Sequence, residues 1–211
     1  MPGAPIPRNP LILTLTLDKA SHAFLTNLRS KYFPPSRNFL SAHVTLFHAI
    51  PPHRINELNQ HLNHICATTG GWDVFIGEPK AMGKRGVLVN VRERPSATVE
   101  NIHHELLTSL NRGVKSNDDR LTDQDARPLG KPHVTILNKA KDEEQVDKCL
   151  QEVLKVFEEM KQPGQKNGQQ VGRAIGFELW EYMGGPWKPL KAYWLKGEEQ
   201  HPENEAAKPP N

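Results

Sequence analysis

The stretches His43-Val44-Thr45-Leu46 and His133-Val134-Thr135-Ile136 decide how this chain is interpreted. The second stretch begins 90 residues after the first, at position 133 against position 43. In an extended strand alternate side chains share a face. The histidine and threonine of each stretch therefore point one way, and the valine points the other way into a core. We predict two equivalent strands, each carrying one imidazole and one hydroxyl on a common face.

The same order of elements surrounds both stretches. Each predicted motif strand follows one helix and precedes a second helix and two further strands, and the first copy has an extra leading strand at residues 11–17. Apolar residues at helical spacing mark the helices, and alternation marks the strands. The repeat predicts an α+β fold with two similar lobes, related by a pseudo-two-fold axis, that face each other across a groove.

The repeat also sets the expected boundaries. We expect an N-terminal extension at residues 1–10, one bilobal domain at 11–196 with its lobes meeting near 93–96, and a disordered charged tail at 197–211. The polar segment from Arg112 to Lys131 is predicted to be a mobile loop, because it is long and lacks an apolar pattern.

Composition narrows the class of protein. The 211 residues are 36% hydrophobic and 24% charged, which is typical of a folded chain. A count of 27 Lys and Arg against 24 Asp and Glu gives a net charge of +3, which permits an anionic ligand without requiring one. Cys66 and Cys149 are expected to be buried, reduced thiols. No apolar run reaches the roughly 20 residues of a membrane span, so we expect a soluble protein, cytoplasmic or nuclear, with no membrane partner. We expect a monomer, although the sequence carries no evidence on oligomeric state.

Two histidines on one face suit a phosphodiester reaction. That reaction needs a base to activate the attacking oxygen and an acid to protonate the leaving oxygen, and imidazole titrates near neutral pH. The threonine hydroxyls can hold phosphate oxygens as charge moves in the transition state. This chemistry requires no metal and no cofactor. A single His-x-Thr is usually an ordinary strand sequence, but two copies on matching strands are much less expected by chance.

The paired motifs H-V-T-L and H-V-T-I resemble the signature of the two-histidine (2H) phosphoesterase superfamily, which includes 2′-5′ RNA ligase-like proteins and cyclic phosphodiesterases. The runs K-P-H-V-T-I-L-N-K-A, M-G-K-R-G-V-L-V-N-V and E-L-W-E-Y-M-G-G-P-W are similar to segments of 2′-5′ RNA ligase-like proteins. The resemblance covers roughly residues 11–195. It implies antiparallel sheets that line a central groove with helices outside, and hydrolysis or ligation at phosphodiesters with a 2′ oxygen. It assigns catalytic roles to four residues only: His43, Thr45, His133 and Thr135.

Four further residues are candidates for substrate binding. Phe47 shares the strand parity of the first motif and could stack on a nucleobase, although a core position is its ordinary role. Lys84 and Arg85, in a turn, and Lys131, just before the second motif, could meet a phosphate. Solvated surface positions are the more common role of such cations.

The remaining histidines and the tryptophans carry weaker signals. His61 and His64, like the pair His103-His104, lie on predicted helices, and a spacing of three on a helix can hold zinc. No carboxylate or cysteine set completes such a site, so we predict no metal. The tryptophans Trp180, Trp187 and Trp194 are expected in the core or at a sheet edge.

Three functions compete at this point. The first is an enzyme that opens 2′,3′-cyclic phosphates on RNA ends or small nucleotides. The second is a non-catalytic nucleotide- or RNA-binding module on the same fold, which would not need two titrating groups. The third is an RNA 3′-end trimming nuclease, or a 2′-5′ RNA ligase. Trimming nucleases of the superfamily tend to carry Ser in place of the motif Thr, and both positions here are Thr.

Overall fold

The computed structural model describes residues 7–93, 96–161 and 169–198. Within these ranges the chain forms one antiparallel sheet and four α-helices, which confirms the predicted α+β class. The strands are β1 (Leu11–Leu17), β2 (Val44–Ile50), β3 (Trp72–Ala81), β4 (Gly86–Arg92), β5 (His133–Asn138), β6 (Gln170–Tyr182) and β7 (Trp187–Trp194). The helices are α1 (Lys19–Tyr32), α2 (Ile55–Thr68), α3 (Thr98–Arg112) and α4 (Glu143–Glu159).

The sheet is almost closed on itself. Its strand order is β1-β2-β5-β4-β3-β6-β7, and β6 also pairs with β1. The first half of β6 lies beside β3 and its second half beside β1, so six strands form a ring and β7 extends β6 at the outside. All of these pairings are antiparallel. The two motif strands, β2 and β5, are therefore neighbours at the centre of the sheet.

The internal repeat is present, but its halves exchange strands. The segments β1-α1-β2-α2-β3 and β4-α3-β5-α4-β6 have the same order, and the pairs β1–β2 and β1–β6 correspond to β4–β5 and β4–β3. Each half thus gives its last strand to the sheet of the other half. The halves join at the turn 82–85, so the join predicted near 93–96 is one strand too late; residues 94–95 lie outside the described residues. The periodicity of the sequence could not predict this exchange of strands, because it does not show which strands pair.

Both motif strands contain a β-bulge at the same place. The pairing of β2 with β1 skips Leu46, and the pairing of β5 with β4 skips Ile136. One extra residue reverses the alternation of side chains. Two consecutive side chains are therefore buried after each motif threonine, Leu46–Phe47 and Ile136–Leu137. The shared bulge is a further sign that the two halves are equivalent.

The helices bury their apolar stripes against the sheet. On α4 this stripe is Val146, Cys149, Val153 and Phe157, and it joins a core that includes Val44 and Val134. Each fully buried side chain of this size stabilises the fold by roughly 1.5–3 kcal/mol. Asp142 caps α4, since its carboxylate accepts a hydrogen bond of 2.9 Å from the Gln145 N–H.

Both cysteines are buried and free, as predicted. Burial raises the pKa of the Cys66 and Cys149 thiols to about 11, which keeps them protonated and unreactive. Across the described ranges, no helix has the length and apolar character that a membrane crossing requires. The predicted tail lies outside the described residues from position 199 onward.

Candidate active site

The site forms where β2 and β5 meet. Val44 pairs with Val134, and both side chains are buried in the core. Because alternate side chains of a strand point to opposite faces, the residues on either side of these valines face away from the core. Those residues are half-buried and form what we call the motif quartet: His43, Thr45, His133 and Thr135.

The register places the members of the motif quartet beside one another. One residue away from the Val44–Val134 pair, antiparallel geometry sets His43 opposite Thr135 and Thr45 opposite His133. Side chains directly opposite have Cβ atoms about 4.5–5.5 Å apart, and diagonal neighbours about 7–8 Å. The two imidazoles thus occupy a diagonal across neighbouring strands, with a hydroxyl beside each.

The same backbone contact orients both rings. Nδ1 of His43 lies 2.8 Å from the carbonyl oxygen of Ser41, and Nδ1 of His133 lies 3.0 Å from that of Lys131. A carbonyl oxygen only accepts, so Nδ1 must carry the proton and donate it. In the neutral form of each ring, Nε2 is then left with its lone pair free for proton transfer.

His43 has a strongly perturbed environment. Burial, reinforced by the nearby positive charge of Arg29, lowers the pKa of His43 to about 4, against the opposing effect of its hydrogen bond to Ser41. The ring of Trp187 packs against it at 4.6 Å between centroids. His43 is therefore neutral in the free protein at neutral pH.

One buried guanidinium connects both motifs. Arg29, on α1, is 5% exposed and donates from Nη1 to the carbonyl oxygen of Thr135 at 2.7 Å. Its Nε donates to the carbonyl oxygen of Leu40 at 3.2 Å and to the side-chain oxygen of Asn38 at 3.1 Å. Burial lowers the pKa of Arg29 to about 10, so the group stays charged at neutral pH.

Helix α1 holds the segment before the first motif along a single stripe. His22, Thr26 and Arg29 recur at helical spacing and face this segment. The Thr26 hydroxyl accepts from the Ala42 N–H at 3.1 Å, and Nε2 of His22 lies 3.1 Å from the Ser41 hydroxyl. The carbonyl that orients His43 is thus fixed by its own neighbours.

The segment before the second motif is anchored, not the mobile loop that its composition predicted. Asp125, whose side chain is 1% exposed, accepts from the N–H groups of His48 at 2.9 Å and Ala49 at 2.7 Å. Burial favours a higher pKa for Asp125, but the hydrogen bonds from His48 and Ala49 outweigh it and hold the pKa below its usual value. A single buried carboxylate thus ties this segment to β2.

Aromatic side chains surround the His43 side of the site. Trp187 lies between His43 and Trp180, whose ring centroid is 6.1 Å away. The indole N–H of Trp180 donates to the Thr14 hydroxyl at 3.0 Å. Phe39, in the segment before the first motif, is 49% exposed. These rings give the groove an apolar wall beside the polar quartet.

The nucleobase role predicted for Phe47 is wrong. Its side chain is fully buried and stacks on the ring of His103, with 4.3 Å between centroids and 11° between planes. The bulge at Leu46 is the cause, since it turns Phe47 away from the groove face and opposite Leu13 in the core.

Two of the three predicted phosphate contacts lie at the wrong end of the sheet. Gly86, next to Lys84 and Arg85, pairs with Asn138, whereas His133 pairs four residues further along β4, about 13 Å away at the usual rise of a strand. Lys84 is 81% exposed and pairs with Glu143 at 2.8 Å, and Arg85 donates to the Ala140 carbonyl at 3.0 Å.

Lys131 does lie beside the site. Its carbonyl orients His133, while its side chain is exposed. A phosphate contact by that side chain stays a prediction. The metal interpretation gains no support: in the part of the chain that the structure describes, no three His, Cys, Asp or Glu residues are grouped to hold an ion. Nε2 of His61 instead contacts the Ser109 hydroxyl.

Sequence reasoning missed Arg29, His22 and Trp187. The polar stripe on α1 was a usable signal, because a helix that packs on a sheet normally buries only apolar residues there. Nothing in the local pattern around Trp187 distinguishes a groove tryptophan from the core or edge residue that we expected.

Comparisons with known proteins agree with this geometry. The family model described as the 2′-5′ RNA ligase superfamily matches residues 17–171 of the chain. The matched range includes both motifs and every member of the quartet. A search of curated protein sequences returns no match.

Several solved structures share the fold. The protein TT0787 of Thermus thermophilus is similar at a TM-score of 0.59 and 14% identity, over 90% of this chain and 100% of that chain. A structure described as a phosphoesterase gives 0.53 and 19% identity, over 90% and 98% of the two chains. E. coli LigT complexed with 3′-AMP gives 0.52 and 18% identity, over 89% and 98%. At these identities the likeness concerns the fold.

Proposed function

Because the chain belongs to the 2′-5′ RNA ligase superfamily, we propose that it is a metal-independent phosphodiesterase that opens 2′,3′-cyclic phosphates on RNA ends or small nucleotides. The observation that carries this proposal is the motif quartet, in which two imidazoles and two hydroxyls share one face of two paired strands. E. coli LigT has been solved with 3′-AMP and with NADP+, so a nucleotide ligand is compatible with this fold.

The reaction needs two proton transfers. One imidazole accepts a proton from water through Nε2 as the water oxygen forms a bond to phosphorus. The bond from phosphorus to one ribose oxygen breaks, and the other imidazole, which enters the reaction protonated on both nitrogens, gives its Nε2 proton to that oxygen. The product is a phosphate monoester with a free neighbouring hydroxyl. Both rings are prepared for this role, because each is fixed through Nδ1 and presents Nε2.

The threonines act on the phosphate oxygens. The register sets Thr45 opposite His133 and Thr135 opposite His43, so each hydroxyl lies beside the ring from the other half. A hydroxyl placed there donates to a non-bridging oxygen as negative charge grows in the transition state. Loss of one such donor should cost less than loss of a proton-transfer group.

The aromatic wall provides a place for a nucleobase. Trp187 is half-buried next to His43, and Phe39 presents nearly half of its surface to solvent at the same end of the groove. A β-carbon on Gly185, two residues before Trp187, would lie 3.9 Å from the Phe39 ring, so the segment that leads into β7 passes close to Phe39. Stacking on such rings contributes about 1–3 kcal/mol per base.

Turnover of a nucleoside 2′,3′-cyclic phosphate in the presence of a chelator tests the proposal. His43→Ala and His133→Ala should each lower kcat by about 10²- to 10⁴-fold, the usual contribution of a general acid or base. Thr45→Ala and Thr135→Ala should lower it less. His64→Ala is the matched control, because this exposed histidine of α2 lies away from the quartet.

The outcomes are distinct. Full activity in both His43→Ala and His133→Ala would end the proposal, as would activity that disappears with the chelator. Identification of the product as the 2′- or 3′-monophosphate would show which ribose oxygen leaves. Tight binding of a nucleoside monophosphate without turnover of any cyclic substrate would instead support a non-catalytic binding module.

A trimming nuclease and a 2′-5′ RNA ligase use the same kind of site, so they stay as alternatives. Incubation with uridine-tailed RNA, followed by gel analysis, distinguishes stepwise removal of 3′ nucleotides from opening of the terminal cyclic phosphate. A longer product from two RNA fragments would indicate ligation.

A further inference from the structure

We propose that Arg29 is a positioning residue for the two-histidine reaction, which fixes the two motif strands relative to each other and makes His43, not His133, the proton acceptor in the opening of the cyclic phosphate. This inference rests on the proposed function and deepens it. The repeat alone makes the two histidines equivalent, whereas their surroundings differ.

Arg29 contacts the main chain next to both motifs. Its guanidinium donates to the main chain of the second motif at Thr135 and to the main chain at Leu40, three residues before His43. β2 and β5 share only the Val44–Val134 pair in the sheet. A single bridging pair leaves the separation of the two strands weakly defined, and Arg29 supplies a second connection at the site itself.

The positive charge of Arg29 has no negatively charged partner among the described residues. In the described ranges its hydrogen bonds go to carbonyl and amide oxygens, and no carboxylate forms an ion pair with it. A buried cation without an anionic partner is costly for stability. We assign two effects to this charge. It attracts the phosphate, and it disfavours a second positive charge on His43.

The basic groups that face His43 act in the same direction, against the hydrogen bond of its ring to the Ser41 carbonyl. From α1 these groups are Arg29 and His22, and from β2 His48, while β7 adds the uncharged ring of Trp187. Arg29, His48 and His22 each lower the pKa of His43. From β5 the register brings Thr135 opposite, which carries no charge.

Within the described residues, the contacts of His133 differ from those of His43. Its neighbour across β4 is the uncharged amide of Asn90, and its ring is held by the carbonyl of the exposed Lys131. With His43 neutral and close to Arg29, the first proton transfer goes from water to Nε2 of His43. The ribose oxygen leaves with a proton from Nε2 of His133, and the arriving phosphate anion then stabilises the charge that His43 has gained.

The experiment is the pH dependence of kcat/KM for a nucleoside 2′,3′-cyclic phosphate in wild type, Arg29→Gln and Arg29→Lys. The acid limb of this profile reports the base of the free enzyme. In Arg29→Gln it should move to higher pH, because loss of the cation makes His43 easier to protonate. Arg29→Lys keeps the charge and should leave the limb near its wild-type position, although kcat falls as the forked contact is lost.

A merely structural role predicts a different result. Uniform loss of kcat/KM at every pH, with the acid limb unmoved in Arg29→Gln, would overturn the proposal. Should Arg29→Gln not fold, NMR titration of ¹⁵N-labelled histidines in the wild type replaces it. A His43 ring that is neutral at pH 6 supports the inference, and a protonated ring overturns it.

A change of leaving group tests the two roles separately. Uridine 3′-(4-nitrophenyl phosphate) releases a phenolate that needs no protonation, when the ribose 2′ oxygen attacks phosphorus. This attack is the reverse of ring opening with loss of the 2′ oxygen, so the two rings exchange roles on a diester. On this substrate His43→Ala should lose much less activity than on an unactivated diester, whereas His133→Ala should lose the same on both. The reverse pattern overturns the assignment and leaves the two-histidine function intact, while full activity of both variants on both substrates would end the proposed function itself.

Discussion

Replacement of Asp125 by Asn should release the segment that leads into the second motif. The carboxylate accepts one hydrogen bond from each of the N–H groups of His48 and Ala49, at 2.9 and 2.7 Å. An amide keeps one acceptor oxygen and turns its NH₂ toward the other N–H, so one charge-assisted bond is lost. Such a bond contributes roughly 1.5–3 kcal/mol, and the free energy of unfolding should fall by about 2–3 kcal/mol.

Urea unfolding measures this change, with Asp123→Asn as the matched control, because Asp123 is exposed in the same turn. The midpoint should fall in Asp125→Asn with little change in slope, and amide hydrogen exchange at Ala49 should become faster. The control should behave as wild type. A midpoint and an exchange rate at Ala49 that match those of the control would refute the view that this carboxylate anchors the segment.

The pH dependence of the same comparison follows from the sign of the pKa shift. The pKa of Asp125 in the folded state lies below its unfolded value, which is about 3.9 for an aspartate. The stabilisation is therefore present above that pH and is lost as the pH falls through the folded-state pKa. The difference in stability between wild type and Asp125→Asn should accordingly shrink below about pH 4.

Two further predictions concern the aromatic residues. The ring of Phe47 lies in the core against His103. Phe47→Ala should therefore lower the free energy of unfolding by about 3–5 kcal/mol. The milder Phe47→Leu should be less destabilised and should keep the wild-type KM. A raised KM in a fully stable Phe47→Leu would restore the nucleobase role. Phe39→Ala should raise KM for a cyclic nucleotide by about 5- to 150-fold with a smaller effect on stability, because stacking on an exposed ring contributes about 1–3 kcal/mol. An unchanged KM would remove Phe39 from the base subsite.

The paired motifs were enough to predict the class of fold. They also single out the four residues that the register of β2 and β5 places side by side, whose catalytic roles stay a prediction. Thr45, His133 and Thr135 lie in strands and His43 directly precedes β2. Each adjoins a buried valine, an arrangement that period-two alternation predicts directly. The alternation failed one residue later, at Phe47. A bulge depends on how β1 and β2 pair, and nothing in the strand's own residues signals it.

The other wrong or missing predictions also depend on contacts between residues that are far apart in the sequence. Lys84 and Arg85 are basic residues in the turn before β4. Their distance from His133 depends on the register between β4 and β5, which pairs Gly86 with Asn138 and Asn90 with His133. Arg29 is 14 residues before His43 in the chain, and its contact with Thr135 spans 106 residues. Only the folded arrangement shows that one helix side chain connects both motifs.

The most direct test of the account is a crystal structure with a nucleoside 3′-monophosphate bound. The account predicts that oxygens of one phosphate lie within about 2.6–3.2 Å, the range of a hydrogen bond, of Nε2 of His43 and Nε2 of His133 together. A phosphate held by only one of these rings, or bound elsewhere with the two Nε2 atoms directed apart, would contradict it.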